Sequence, residues 1–152
     1  MKRVMVKLRI EEGHQGIDVL LTTAERDEQV EALMARIVDP LAGTITVLDD
    51  KGNSILLTED RIISISADNK RLKVVSEDGS YRMRSSLLEI EGRLNPSSFL
   101  RISRYEIINL HKVRRFDFSI AGTLRIEMRD GSETWASRRY IQTIRNRLQG
   151  KE

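Results

Sequence analysis

The sequence predicts a mainly β protein of the α+β class, in which short antiparallel strands combine with three helices. From residue 44 onward, short segments of alternating apolar and polar residues are separated by turn sequences about every eight to twelve residues. Three other segments repeat their apolar residues with helical spacing. No run is long and apolar enough for a membrane span or a secretory signal, so we expect a cytoplasmic protein.

Composition narrows the classes of function. With 39% hydrophobic and 32% charged residues, the 152-residue chain is typical of one globular domain, or of a domain with a small addition. It has no cysteine, which excludes disulfides, thiolate metal sites and cysteine nucleophiles. The only histidines, His14 and His111, lie in unrelated contexts, and catalytic metal sites use three protein ligands. We therefore predict no metal site.

The net charge of +3 conceals an asymmetry along the chain. Residues 1–50 contain 6 Lys and Arg against 10 Asp and Glu, whereas residues 51–152 contain 20 against 13. A basic region with an acidic appendage is typical of a protein that binds a polyanion. A solubilising surface rich in Lys and Arg explains the same excess equally well.

The first 50 residues are predicted to form an α/β extension. Apolar residues at every second position predict a strand over residues 4–10, and residues 17–21 a return strand. Thr22 and Glu25 have the spacing of a capping box, which predicts the start of a helix, and Asp39-Pro40 predicts its end.

The remaining residues are predicted to form hairpins and two further helices. The predicted strands are Thr44–Leu48, Ser54–Leu57, Arg61–Ala67, Arg71–Ser76, Ser80–Arg84, Val113–Phe118, Leu124–Met128 and Ser132–Ala136. Ser85 is predicted to cap a short helix that stops at Asn95-Pro96, and Ser137 to cap the closing helix.

Residues 99–110 form the segment around which the chain is organised. Their dense apolar positions predict burial on both flanks, while Ser103, Arg104 and Tyr105 interrupt the pattern and must reach water or a polar ligand. Arg104, and Arg101 before it, are thus held on a rigid support, which suits recognition of a phosphate or a base edge.

The sequence carries no recognisable catalytic site. It has no glycine-rich phosphate loop, no Gly-x-Ser-x-Gly elbow and no His-Glu-x-x-His helix. The paired carboxylates Glu11-Glu12 and Asp49-Asp50 fall in predicted turns, where water is their expected partner. We therefore predict that the protein is not an enzyme and has neither a cofactor nor a small-molecule substrate.

Basic side chains instead collect at the predicted tips of elements. Lys70 and Arg71 lie at a hairpin tip, and Arg138 and Arg139 begin the last helix. A cation at a helix N-terminus opposes the helix dipole, so this pair suggests an anionic ligand shared by the helix end and the arginines. The alternative is that Arg138 and Arg139 are exposed without any ligand.

Several motifs occur together in a characteristic order. They are Ile62–Asp68, Lys70–Leu72, Phe99-Leu100-Arg101-Ile102-Ser103-Arg104, Ile107-Ile108-Asn109-Leu110, Val113, Asp130-Gly131 and Ala136-Ser137-Arg138-Arg139-Tyr140. Over roughly residues 53–149 the chain resembles the LytTR-type DNA-binding domain of bacterial transcription regulators.

The resemblance implies an elongated stack of small antiparallel sheets with short helices, whose loops and strand tips enter successive major grooves of a DNA duplex. The DNA contacts it implies are Lys70, Arg71, Arg101, Ser103, Arg104, Arg138 and Arg139. Arg139 is the best candidate for reading guanine, because arginine can bond O6 and N7 together. Asn109 is expected to tie the core together rather than to touch DNA.

The chain departs from the commonest architecture of that family, in which a receiver domain comes first, because fifty residues cannot hold one. We divide it into residues 1–50, an extension for dimerisation or docking, and residues 51–152, the LytTR-like domain. The chain resembles short stand-alone LytTR regulators, some of which are encoded beside a small membrane protein that inhibits them. The partners implied are double-stranded DNA, a second copy of the chain and such an inhibitor.

We expect a sequence-specific, double-stranded DNA-binding transcriptional regulator, and two alternatives stay open. One is a protein-interaction module without nucleic-acid affinity, in which the arginines only solubilise. The other is binding of single strands, which needs exposed aromatic platforms. The aromatic residues fall on apolar segments, where core positions are expected: Phe99, Phe116, Phe118, Tyr81, Tyr105, Tyr140 and Trp135.

Overall fold

The computed structural model describes residues 3–15, 18–38 and 43–150, and its contacts divide the chain into two compact units, residues 1–42 and 43–152. The first unit contains helix α1 (Glu28–Val38). Its N-cap is Asp27, whose Oδ1 accepts a hydrogen bond from the Val30 amide at 3.0 Å. The helix therefore begins after Asp27 and not at the predicted capping box of Thr22 and Glu25. The predicted stop, Asp39-Pro40, lies outside the described residues.

The two strands predicted before this helix are wrong for the residues that the structure describes. Residues 3–10 form no regular secondary structure, and the side chains of Val6 and Leu8 are 90% and 84% exposed. In the second predicted strand Ile17 lies outside the described residues, and residues 18–21 are irregular and exposed. Alternation alone does not make a strand, because an isolated hairpin is marginal in water without a third strand or a covering helix.

Within residues 43–150 the second unit contains ten strands and two helices. The strands are β1 (Thr44–Leu48), β2 (Ser54–Thr58), β3 (Ile62–Asp68), β4 (Arg71–Ser76), β5 (Gly79–Met83), β6 (Phe99–Ser103), β7 (Glu106–Asn109), β8 (Val113–Asp117), β9 (Leu124–Met128) and β10 (Glu133–Ala136), and the helices are α2 (Leu87–Arg93) and α3 (Arg138–Leu148). All strand pairs are antiparallel. The predicted mainly β, α+β class is confirmed.

The strands form two sheets. The larger has seven strands in the order β2-β1-β5-β4-β3-β7-β6, and the smaller has three in the order β10-β9-β8. Strand β1 belongs to the larger sheet, because it pairs with β2 along its whole length and with β5 at Leu48 and Arg82. The compact unit therefore begins before β1, whereas the predicted boundary at residues 50/51 follows it.

Both faces of the larger sheet are buried where β6 and β7 lie. Helix α2 covers one face, in a cluster that includes Phe99 and Ile107. The other face packs against the smaller sheet and α3, in a cluster that includes Leu100, Ile102 and Ile108. Neighbouring residues of one strand enter opposite clusters, as the two-residue period of a strand requires. The predicted burial on both flanks of residues 99–110 is confirmed.

Asn109 is a buried polar residue at the end of β7, only 1% exposed. Its Nδ2 donates a hydrogen bond to the Ile62 carbonyl at 2.8 Å, and its Oδ1 accepts one from the His111 amide at 3.0 Å. The side chain thus joins β7 to the start of β3 and caps the 3-10 turn Leu110–Lys112. The predicted structural role of Asn109 is confirmed.

The starts of the two helices differ in detail from the prediction. Ser86, and not Ser85, caps α2, since its Oγ accepts a hydrogen bond from the Glu89 amide at 3.1 Å. Helix α3 follows Ser137 as predicted, but the Ser137 hydroxyl makes no capping bond and is buried without a partner among the described residues. No helix in the described ranges combines the length and hydropathy that crossing a bilayer requires.

We predict that Asn109→Ala lowers the free energy of unfolding by about 1–3 kcal/mol, because it leaves the Ile62 carbonyl and the His111 amide without their partner. Urea unfolding followed by circular dichroism measures this. Asn146→Ala on the partly exposed face of α3 is the matched control, with an expected change within about 0.5 kcal/mol. Equal losses in the two variants would contradict the structural role of Asn109.

Candidate nucleic-acid interface

The β3–β4 tip carries two of the predicted site residues. Asn69 and Lys70 turn the chain between Asp68 and Arg71, which are opposite each other in the ladder. Asn69 has a φ of +57°, a left-handed conformation that asparagine tolerates better than most residues do. Lys70 and Arg71 are exposed on this tight turn, with their charges free to face a ligand.

The β6–β7 tip consists of Arg104 and Tyr105, both exposed. The Ser103 hydroxyl accepts a hydrogen bond from the Tyr105 amide at 3.1 Å, and the Tyr105 carbonyl accepts one from the Ala67 amide at 2.8 Å. The second bond ties this tip to β3, the strand that leads into the other tip. The two tips are therefore held side by side at one end of the larger sheet.

Both tips line one open groove of about 860 Å³, which we call the basic groove. Its charged lining residues are Lys70, Arg71, Arg84, Arg101, Arg104 and Glu89. Four of these cations, all but Arg101, are exposed beside one carboxylate, so the groove has a positive potential that favours a polyanion. Ser103 is next to this groove but does not line it.

Arg101 is the partly buried member of this set, with a side chain only 19% exposed. Its Nε donates to the Ser103 carbonyl at 2.7 Å and its Nη2 to the Arg104 carbonyl at 2.8 Å. Its Nη1 lies 3.4 Å from Glu91 Oε2 on α2. The guanidinium is therefore engaged within the chain.

The start of α3 carries the third predicted pair, Arg138 and Arg139, both exposed. The Ser137 amide donates to the Ile102 carbonyl at 2.9 Å, which fixes the helix start against β6. The Arg139 guanidinium lies over the Tyr140 ring, 5.6 Å from its centroid. Arg139 and Arg101 share a second cavity of about 410 Å³ between α2 and α3, whereas Arg138 lines neither cavity.

Arg84 and Tyr105 also line the basic groove, although neither is among the DNA contacts that the resemblance implies. Arg84 follows β5 directly, where a cation just before a predicted helix cap was the available signal. Tyr105 is 64% exposed, which confirms that it interrupts the apolar segment and reaches water; its inclusion among the expected core aromatic residues is wrong. Trp135, at 56%, is also exposed, because Ala136 takes the inward position of β10 and its neighbour must point outward.

Glu106 is a partly buried carboxylate beside the β6–β7 tip. Its Oε1 accepts a hydrogen bond from Thr134 Oγ1 at 2.5 Å, and this bond joins the larger sheet to the smaller one. Burial raises the pKa of Glu106 above its usual value, and the hydrogen bond from Thr134 offsets that only in part. The folded state therefore favours the neutral acid more than water does.

Among the described residues no three His, Asp or Glu side chains lie close enough to hold a metal ion. His111 Nε2 instead lies 3.2 Å from Ser98 Oγ, and His14 Nε2 lies 3.0 Å from Asp18 Oδ2. Both histidines thus have ordinary polar neighbours.

The chain is similar to a known domain family, to a solved structure and to proteins of nearly the same length. The model of the LytTr DNA-binding domain family matches residues 52–149. A solved LytTr DNA-binding domain from Bacillus cereus superposes with a TM-score of 0.66 at 24% identity, covering 70% of this chain and 96% of that one, and shares the fold. Proteins named uncharacterized HTH-type transcriptional regulators, from Staphylococcus aureus strains MSSA476 and MRSA252, are 25% and 24% identical over 149 residues. These alignments cover 97% of this chain and 99% of each relative.

We predict that Glu106→Gln raises the melting temperature at pH 8, because glutamine keeps the acceptor for Thr134 without a buried charge. The pKa of Glu106 is higher in the folded state than in the unfolded state. The protonated acid therefore contributes its full stability at pH values below the unfolded-state pKa, and this contribution is lost as the pH rises through the folded-state pKa. The gain should therefore vanish below about pH 4. Thermal unfolding at several pH values measures it.

The matched control is Glu12→Gln, at an exposed carboxylate of the first unit, which should leave the melting temperature at pH 8 unchanged. A melting temperature of Glu106→Gln below that of the wild type at pH 8 would show that burial does not govern this carboxyl.

Proposed function

The chain belongs to the LytTr DNA-binding domain family, and we propose that it regulates transcription by binding double-stranded DNA in a sequence-specific manner through the tips of its hairpins. Its relatives of nearly equal length carry the name of transcriptional regulators. A regulator domain of this kind implies no catalysis, and binding of DNA would place the protein in the cytoplasm.

The basic groove is the single observation that supports this proposal most. Two tips that are 30 residues or more apart in sequence carry Lys70, Arg71 and Arg104 to one exposed surface with a cationic lining. Phosphates of a duplex would gain favourable contacts along this surface and would release counterions on binding. Within residues 43–150 the two helices are separated by five strands, so tips, and not a helix-turn-helix, are available to enter a groove.

We assign different roles to the site residues. Lys70, Arg71 and Arg84 would contact phosphates, because they are exposed cations at the rim of the groove. Arg104 would enter a major groove at the β6–β7 tip. Arg139 would read a guanine through O6 and N7, with Arg138 on a neighbouring phosphate. Ser103, whose hydroxyl holds the Tyr105 amide, would support the tip.

We further propose that two copies bind a repeated site. Selection of bound fragments from a pool of random duplexes would return the preferred sequence and the spacing of its half-sites. A single unrepeated motif would contradict two-copy binding. The small membrane-protein inhibitor stays a prediction from the resemblance.

We predict binding to a random duplex that weakens steeply with salt. If about four phosphates are neutralised, affinity should fall on the order of a hundredfold between about 50 mM and about 200 mM salt. Fluorescence anisotropy with a labelled duplex measures this, with the matching single strand as comparison. No measurable binding to any duplex would favour the protein-interaction module. Stronger binding of the single strand would favour stacking on the exposed Tyr105 and Trp135.

We predict that Arg139→Ala costs roughly 1–3 kcal/mol on the selected duplex and relaxes the preference at one base pair. Affinity for a random duplex should change little. Arg82→Ala is the matched control, since Arg82 is exposed on β5 and does not line the basic groove. Equal small losses for Arg139→Ala on both duplexes would remove its base-reading role.

A further inference from the structure

We propose that Arg101 is a positioning residue, which holds the β6–β7 tip in the shape that presents Arg104 to DNA and does not itself contact DNA. This inference rests on the proposed function and deepens it. It assigns different roles to Arg101 and Arg104, which are three residues apart in sequence and both line the basic groove.

The hydrogen bonds of Arg101 run into the tip itself. Two nitrogens on one edge of its guanidinium donate to successive carbonyls. Nε donates to that of Ser103 at 2.7 Å, and Nη2 to that of Arg104 at 2.8 Å. The remaining nitrogen, Nη1, faces Glu91 at 3.4 Å. All three nitrogens therefore have a partner within the chain.

The strand period explains why Arg101 points inward. Phe99 and Arg101 are two residues apart in β6, so both face α2, where Phe99 is buried and Glu91 is available. The ladder then shifts register between Arg101 and Ser103, and the carbonyls of Ser103 and Arg104 at and beyond this irregularity accept the hydrogen bonds from Arg101. Arg104 lies beyond the strand end, and its guanidinium has no partner among the described residues.

The chemistry of arginine makes this brace specific. A planar fork with several donors bonds two carbonyls at once, whereas a lysine ammonium on a flexible stem carries the same charge without that geometry. Loss of the fork would free the tip while the net charge of the groove stays the same. A residue that only neutralises a phosphate behaves differently, because a lysine there still meets the phosphate as a point charge.

The first experiment compares Arg101→Lys with Arg82→Lys and the wild type, on the selected duplex and on a random duplex at several salt concentrations. Arg101→Lys should bind the selected duplex roughly tenfold more weakly, equivalent to about 1.4 kcal/mol, with the random-duplex affinity and its salt slope unchanged. Arg82→Lys should match the wild type on both duplexes. Affinity of Arg101→Lys within about twofold of the wild type on the selected duplex would overturn the proposal.

Arg101→Ala adds a second arm to this comparison. For a positioning residue the slope of log affinity against log salt stays that of the wild type. A slope smaller by about one would show that Arg101 neutralises a phosphate, and would overturn the proposal.

A second experiment needs no DNA. Amide hydrogen exchange should be roughly tenfold faster at Tyr105 and Ala67 in Arg101→Lys, with the buried amide of Ile65 unchanged as a reference for the fold. Unchanged exchange at the tip would overturn the proposal. Glu91→Gln removes the charge from only the third contact and should give a smaller increase, which tests the brace if Arg101→Lys does not fold.

The two experiments separate the two proposals. If the wild-type protein binds no duplex, the proposed function fails, and the exchange experiment still decides whether Arg101 holds the tip. If the wild type binds DNA and the tip of Arg101→Lys exchanges like that of the wild type, only the positioning role fails.

Discussion

The burial of the β6–β7 hairpin on both faces is the constraint on which the rest of the second unit depends. Phe99 and Ile107 pack under α2, while Ile102 and Ile108 face the smaller sheet and α3. A strand pair buried in this way leaves no solvent side for polar groups, so these must lie at the tip or be satisfied within the chain. The Ser137 amide bonds to this same hairpin, which therefore also determines where α3 begins.

The same constraint organises the charges. Cations at the ends of strands stay in water, so the tips can concentrate positive charge without the cost of burying it. Arg101 is the exception inside the hairpin, and Glu91 together with two backbone carbonyls compensates its charge. At α3 the two arginines oppose the helix dipole, and the Tyr140 ring under Arg139 recovers part of that cost. A phosphate bound at this helix end would be stabilised by the helix dipole and by both arginines.

Elements set by local pattern and by neighbours in sequence were predictable. Strands Arg71–Ser76 and Leu124–Met128 have the predicted bounds, because each pairs with an adjacent strand across a short turn. Helix starts were less predictable where several capping residues compete, as with Ser85 and Ser86. The strand predicted over residues 4–10 is wrong for a different reason. Alternating apolar residues form a strand only where a neighbouring strand pairs with them, and no described strand pairs with this segment.

The candidate site shows the same limit more sharply. From the sequence, Arg101 and Arg104 were both predicted DNA contacts, because both are cations near a strand end. The strand period already places Arg101 on the same face of the sheet as Phe99. The sequence alone did not show that α2 covers that side of the sheet. Glu91 comes from this helix, and the packing of the helix depends on the whole sheet. An arginine held under a sheet needs acceptors from its own chain, because burying the charge unpaired costs far more than the packing gains. Under the proposed function, Arg104 instead keeps its donors available for DNA, because its guanidinium has no acceptor among the described residues. The hydrogen-bond partners of each arginine therefore separate the two classes, and charge alone does not.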